Sequence, residues 1–378
     1  MVTSKAHDYQ LVTTGDDLDE LARRLSQEAV VAVDTEAASF HRYFDRIYLI
    51  QISTPHENAV VDPLAVADLT PLRKPLESRQ VELVFHDADF DLRSLDRDYG
   101  YRPRNVFDTR IAAQLLGEPS IGLGALLEKY YGVKLDKRYQ RADWSRRPLD
   151  SAMIDYAVSD TAHLIKLRRD MGRRLRELGR AGWAEEEFER LRDVRWTAGN
   201  DGEDSFYRLK GAKTLDSEGL GALKALYQWR DAEARSLDRP AFRVVGNQLL
   251  IELARKRPRT RKRLEQSGIP AGVVSRWGSG LIGAIKSASP TDPPKRIPKV
   301  KRRQDPKAEK RLERLKNLRN EAARRLGLEP GVLCPNGTLQ AVAWSGVETR
   351  QGLKTVKELR KWQIEALGAE ALLKALKG

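Results

Sequence analysis

Asp34 and Glu36 close an apolar run in VAVDTE (Val31 to Glu36), Asp91 follows a second apolar run, and Tyr156 stands four residues before Asp160. Carboxylates at the ends of hydrophobic strands must be held together against their own repulsion, and sharing divalent cations is the usual means. That points to phosphodiester chemistry. A phosphodiester repels nucleophiles through its own charge, and two Mg²⁺ or Mn²⁺ ions about 4 Å apart can neutralise it while activating a water. The expected cofactors are therefore two divalent ions held by oxygen ligands.

Spacing says which side chains can meet. On a strand, Asp34 and Glu36 project from one face about 7 Å apart. On a helix, Tyr156 and Asp160 share a face. Each pair alone has a plainer reading. A D-x-E at a strand end is commonly a solvated turn, and Asp91 alone fits a helix N-terminal carboxylate, a role open to Asp87 and Asp89 as well. A Tyr and an Asp four apart are commonly a half-buried aromatic and a surface acid. The four acids and the tyrosine in this order are far more specific than any pair.

The elements that must position them follow from hydrophobic period. Short β-branched runs at Tyr9–Val12, Ala29–Val33, Ile47–Ser53, Ala59–Val61 and Val81–Phe85 predict five strands. Helices are predicted at Asp16–Ser26, Phe90–Asp98, Thr109–Leu116 and Leu123–Tyr131, with one long helix from Ser151 to about Leu178. This describes an α/β domain with a mixed sheet, and beyond Asp193 the chain reads as all-helical.

The 378 residues carry a net charge of +14, distributed unevenly. Residues 1 to 195 hold 30 Lys/Arg against 34 Asp/Glu, and the rest hold 38 against 20. An acidic half joined to a basic half fits a polyanionic partner. The basic runs Arg255–Arg257 with Arg259, Arg261, Lys262 and Arg263, and Lys299–Arg303, are candidate phosphate contacts. A single cysteine, Cys334, excludes an internal disulfide. No apolar signal core or stretch of about 20 apolar residues occurs, so a cytoplasmic protein without membrane contact is expected; it is also expected to be a monomer.

Shifting the helical half by 89 residues superposes Arg230 on Arg319, Ala234 on Ala323, Arg235 on Arg324, Leu237 on Leu326, Asn247 on Asn336, Leu250 on Leu339 and Ala254 on Ala343. Two related helical domains follow. The expected boundaries are residues 1–195 for the α/β domain, 210–289 and 311–378 for the two copies, and a basic Pro-rich linker at 290–310.

With these residues placed, VAVDTE, FHDADFDL (Phe85 to Leu92) and DYAVSD (Asp155 to Asp160) together resemble the DEDD exonuclease superfamily in its tyrosine-bearing branch, and within it ribonuclease D. IQIS (Ile50 to Ser53), VFDTRIAAQLL (Val106 to Leu116) and LDKRYQRADWSRRPL (Leu135 to Leu149) extend the likeness, and the two repeats resemble HRDC domains. The resemblance implies an RNase H-like domain with a five-stranded mixed sheet followed by two small all-α HRDC-type domains. It implies metal binding by Asp34, Glu36, Asp91 and Asp160, with Tyr156 holding or activating the attacking water. It also implies release of 5′-mononucleotides from RNA 3′ ends, in maturation of transfer RNA precursors or trimming of other 3′-extended RNA.

Gln51, Trp144 and Arg147 are candidate substrate contacts, joined by His86 and Asp108 from the motif segments. For Trp144, packing and function are equal contenders, and for His86 and His163 packing is the simpler reading. The family carries a small residue after the motif histidine where this chain has Asp87, which leaves open whether Asp87 also meets the metals. A DNA 3′ exonuclease with the same centre, and an inactive nucleic-acid-binding protein, are the competing functions.

Overall fold

The computed structural model describes residues 8–136, 138–197, 204–292 and 305–377. Residues 293–304, most of the expected linker, lie outside them. The chain divides into two units: Met1–Glu36, Ile47–Trp196 and Arg302–Gly378 form the first, and Ala37–Arg46 with Thr197–Lys301 the second.

Among the described residues of the first unit, six strands form one sheet: β1 (Gln10–Val12), β2 (Val30–Ala37), β3 (Ile47–Ser53), β4 (Asn58–Val61), β5 (Glu82–Phe85) and β6 (Val106–Asp108), in the order β1-β4-β3-β2-β5-β6. β3 and β4 run antiparallel, while β1 pairs parallel with β4 and both β2 and β6 pair parallel with β5. The sheet is mixed, as predicted, but has six strands rather than five. The missed strand, β6, is three residues long and buried throughout. It offers no alternation to read, and only pairing with β5 makes it a strand.

The helices of this part are α1 (Gly15–Leu25), α2 (Arg73–Leu76), α3 (Asp89–Tyr99), α4 (Thr109–Leu116), α5 (Leu123–Tyr131), α6 (Ser151–Ala162), α7 (Leu164–Glu177) and α8 (Ala181–Leu191). α1 starts where Thr14 accepts from the Asp17 amide, a cap worth about 1 kcal/mol, and buries Leu18, Leu21, Ala22 and Leu25. The predicted long helix is two, broken at His163. No Gly or Pro marks the break. Its cause is tertiary, because α6 packs on β3 and α7 on α4.

The helical repeats keep their register in three dimensions. The first copy comprises α9 (Ser217–Ser236), α10 (Ala241–Val244), α11 (Asn247–Lys256), α12 (Arg261–Glu265) and α13 (Ala271–Ser287). The second comprises α14 (Pro306–Leu326), α15 (Pro330–Leu333), α16 (Asn336–Trp344), α17 (Arg350–Leu353), α18 (Lys361–Leu367) and α19 (Ala369–Lys377). The matched arginines have one job in both copies. Arg230 Nη1 donates to Val245 O at 2.9 Å and Asn247 Oδ1 at 2.7 Å, and Arg319 Nη1 donates to Cys334 O at 3.1 Å and Asn336 Oδ1 at 2.7 Å. Each buried guanidinium pins the turn before the copy's third helix, which explains why Arg and Asn recur together.

The second copy shares one hydrophobic cluster with the α/β part, running from Leu115, Leu116, Leu167 and Trp183 to Leu315, Leu339, Trp362 and Leu372. Glu186 and Glu187 on α8 complete the joint. They accept from the Lys361 and Trp362 amides, each at 2.9 Å, and from Trp362 Nε1 at 2.7 Å, satisfying the start of α18. Within the second unit, Tyr43 donates its hydroxyl to Asp231 at 2.9 Å, fastening the segment between β2 and β3 to the first copy. Among the described residues, no helix is long and apolar enough to cross a membrane.

Candidate active site

β2 carries Asp34 and Glu36 at alternate positions, on one face of the strand, and α6 packs on the strands β3 and β4. Two hydroxyls hold α6 there, Ser53 on β3 and Thr161 on α6, at 2.7 Å. Asp160, the neighbour of Thr161, is thereby delivered to the strand acids. One carboxylate oxygen each from Asp34, Glu36 and Asp160 lies within 4.8 Å of the others.

Asp91 stands beside this trio in the first turn of α3. Thr35, between the two strand acids, donates its hydroxyl to Asp91 Oδ1 at 2.5 Å. Burial raises the pKa of all four acids, and neighbouring negative charge adds to the rise at Glu36, Asp91 and Asp160. Burial pushes Asp34 up to about 7, and it pushes Glu36 well above the usual range, with the charges of Asp34, Asp160 and Asp91 adding to the effect. Asp91 and Asp160 are raised by burial and then by Asp34. Several carboxylates aimed at one point, each costly to ionise alone, are the donor set that hard divalent cations fit.

Tyr156 hydrogen-bonds Asp160 one turn away, and its hydroxyl pKa is raised, first by burial and then by the charges of Asp160 and Glu36. It is a phenol at neutral pH. Trp144 and Tyr139 flank its ring at centroid distances of 6.1 and 5.9 Å. Asp34, Tyr156 and Asp160 open on a pocket of about 380 Å³ whose other walls include His86, the start of α5 at Gly122–Ala125, Leu135, Asp136 and Gln140.

The remaining sequence-predicted residues have other surroundings. Trp144 is 1% exposed and packs on Tyr156, so packing is the role it shows here. Gln51 is 1% exposed in the middle of β3, and its side-chain amide has no hydrogen-bond partner among the described residues. Arg147 grips Asp62 through two 2.6 Å bonds and donates to Tyr48 O, which ties the segment before α6 to β3 and β4. Asp108 caps α4, accepting from the Arg110 amide at 2.7 Å, and also takes the Ala88 amide at 2.8 Å. It shapes the loop that presents His86 and begins α3. Asp87 is turned away from the cluster: its backbone is left-handed at φ 71°, its side chain is half exposed, and its carboxylate pairs with Arg110. Sequence reasoning passed over Thr35 and Thr109, though each adjoins a motif acid.

A family profile described as 3′-5′ exonuclease matches residues 9–176, and the HRDC domain profile matches residues 219–285 and 308–376. Ribonuclease D of Sphingobium indicum is 35% identical over 302 residues, covering 77% of this chain and 76% of that protein. The chain belongs to the ribonuclease D family. Ribonuclease D of Nitrobacter hamburgensis is 31% identical over 367 residues, 96% of this chain and 94% of that one. The crystal structure of Escherichia coli RNase D, described as an exoribonuclease involved in structured RNA processing, matches at TM-score 0.69 and 25% identity. It covers 98% of this chain and 99% of that one. The N-terminal part is thus a 3′-5′ exonuclease domain of RNase H-like fold, followed by HRDC domains.

Proposed function

We propose that this chain removes 5′-mononucleotides from the 3′ ends of RNA by hydrolysis assisted by two divalent ions, Mg²⁺ or Mn²⁺, with 3′-extended structured RNA such as transfer RNA precursors as substrate. The convergence of Asp34, Glu36 and Asp160 oxygens within 4.8 Å carries the reading. Membership of the ribonuclease D family supports it.

Asp34, Glu36, Asp91 and Asp160 would hold the ions. Ions held there would supply positive charge against the phosphodiester and lower the pKa of a coordinated water. The protein's own groups do the positioning. Thr35 fixes the Asp91 carboxylate through its hydroxyl. Tyr156, protonated and braced by Trp144, orients the attacking water from the side of Asp160 rather than taking its proton. Asp136 and Gln140 line the same pocket, and their polar side chains would meet the terminal nucleotide. Residues 1–195 perform the chemistry, and the HRDC domains at 210–289 and 311–378, with the basic linker at 290–310, guide RNA through phosphate contacts as a monomer.

Asp160→Asn protein, assayed on a 3′-extended RNA and a matched DNA with Mg²⁺, Mn²⁺ or chelator, tests this. Wild-type protein should shorten the RNA from its 3′ end only with metal, and the variant should be inactive. Undiminished activity of the variant in Mn²⁺ would remove the mechanism, and preference for the DNA would replace the substrate.

A further inference from the structure

His86 reaches the pocket from the loop between β5 and α3. Its Nδ1 lies 2.9 Å from Thr109 Oγ1, and that hydroxyl lies 3.0 Å from Phe85 O. A threonine hydroxyl has one hydrogen, and a carbonyl can only accept. Thr109 therefore donates to Phe85 O and must accept from His86, which puts the ring proton on Nδ1. The opposite nitrogen, Nε2, is left as a lone-pair acceptor, and it has no hydrogen bond among the described residues. Burial lowers the ring pKa to about 4, so the neutral form persists at pH 7. Thr109 is fully buried, so this chain of bonds is fixed.

An unprotonated nitrogen in this pocket repels phosphate oxygens and accepts from hydroxyls. The pocket's other polar walls are the acids Asp34, Asp160 and Asp136 together with Tyr156 and Gln140. We infer that His86 Nε2 accepts a hydrogen bond from the ribose 2′-hydroxyl of the 3′-terminal nucleotide, and that Thr109, by fixing the tautomer, makes His86 the residue that tells RNA from DNA. This rests on the nuclease reading of the same pocket and adds the atom that selects the sugar. The 2′-hydroxyl is the one group that DNA lacks there.

The test uses the full chain and two RNA oligonucleotides that differ only in a terminal ribo- or 2′-deoxynucleotide, together with calorimetric binding of 5′-AMP and 2′-deoxy-5′-AMP. Wild-type protein should favour the ribo forms by roughly tenfold, the scale of one well-placed hydrogen bond. His86→Phe should bring that ratio close to one. His86→Gln, which keeps an acceptor oxygen, should retain part of it. Thr109→Val should lower the ratio by freeing the tautomer, and ¹⁵N NMR of the wild-type ring should show Nδ1 protonated and Nε2 bare at pH 7. An unchanged ratio in His86→Phe, equal losses on both sugars, or a proton on Nε2 overturns the inference. Wild-type protein that cleaves neither oligonucleotide would sink the exonuclease reading instead, while the binding ratio and the NMR spectrum still decide the role of His86.

Discussion

Replacing Asp34 with asparagine should stabilise the metal-free protein at neutral and alkaline pH while destroying its activity. In the folded chain the Asp34 pKa rises from 3.8 to about 7, with burial as the main cause. At about 1.4 kcal/mol per pKa unit, holding this carboxylate ionised costs the fold ~4 kcal/mol. The folded pKa lies above the unfolded one. The folded protein therefore binds the proton more tightly, and the favourable contribution is complete below about pH 4 and lost as pH rises through about 7. In chelator, urea unfolding of the wild type should thus weaken between pH 4 and pH 8. The substituted amide carries no charge, so the variant should be the more stable at pH 8, by about 2 to 4 kcal/mol, with the gap closing toward pH 4. Adding Mn²⁺ should raise the wild-type midpoint more than the variant's, because binding to the folded state adds stability by mass action. A variant no more stable than wild type in chelator at pH 8 would refute the claim that the acids converge at an energetic cost.

Gly117→Ala places a Cβ against the carbonyl of Gly327 at a residue with φ 74°, so it should loosen the second helical copy from α4. A loss of about 2 kcal/mol in urea stability is expected, and an unchanged midpoint would count against close packing there. Arg230→Met and Arg319→Met should each cost about 1 to 3 kcal/mol, since each leaves a carbonyl and an Asn oxygen unmet. Equal losses in the two variants, read by thermal unfolding, are the signature of a true repeat, and a neutral Arg319→Met would contradict it. The Cys334 thiol, fully buried and pushed up to about 12 by burial, should resist iodoacetamide at pH 8 until the second copy opens. Rapid labelling of the native protein, seen by mass spectrometry, would show that core to be looser than its packing.

Much of the site was legible because its signals are local. Asp34 and Glu36 owe their common face to strand period, Tyr156 and Asp160 to helix period, and both spacings are covalent facts. The paired Arg and Asn of the helical copies survive in sequence because each copy must pin the same turn. What sequence could not give is the use of residues with two chemically sound roles. Arg147 and Asp108 have the right chemistry for holding a substrate, but Asp62 and the α4 amides already take them. Asp87 looks like a fifth ligand until its left-handed backbone turns it to Arg110.

The sequence by itself therefore determined the acid set, the mixed α/β domain and the repeated helical module, since each is written in a period or a repeat. The tertiary structure alone decided that β6 is a strand, that the helix after Ser151 breaks at His163, and that the second helical copy joins the core of the exonuclease domain. It also decided which nitrogen of His86 bears the proton. These depend on partners distant in the chain, and pairing, packing and hydrogen-bond direction are properties of both partners, so no one segment can encode them.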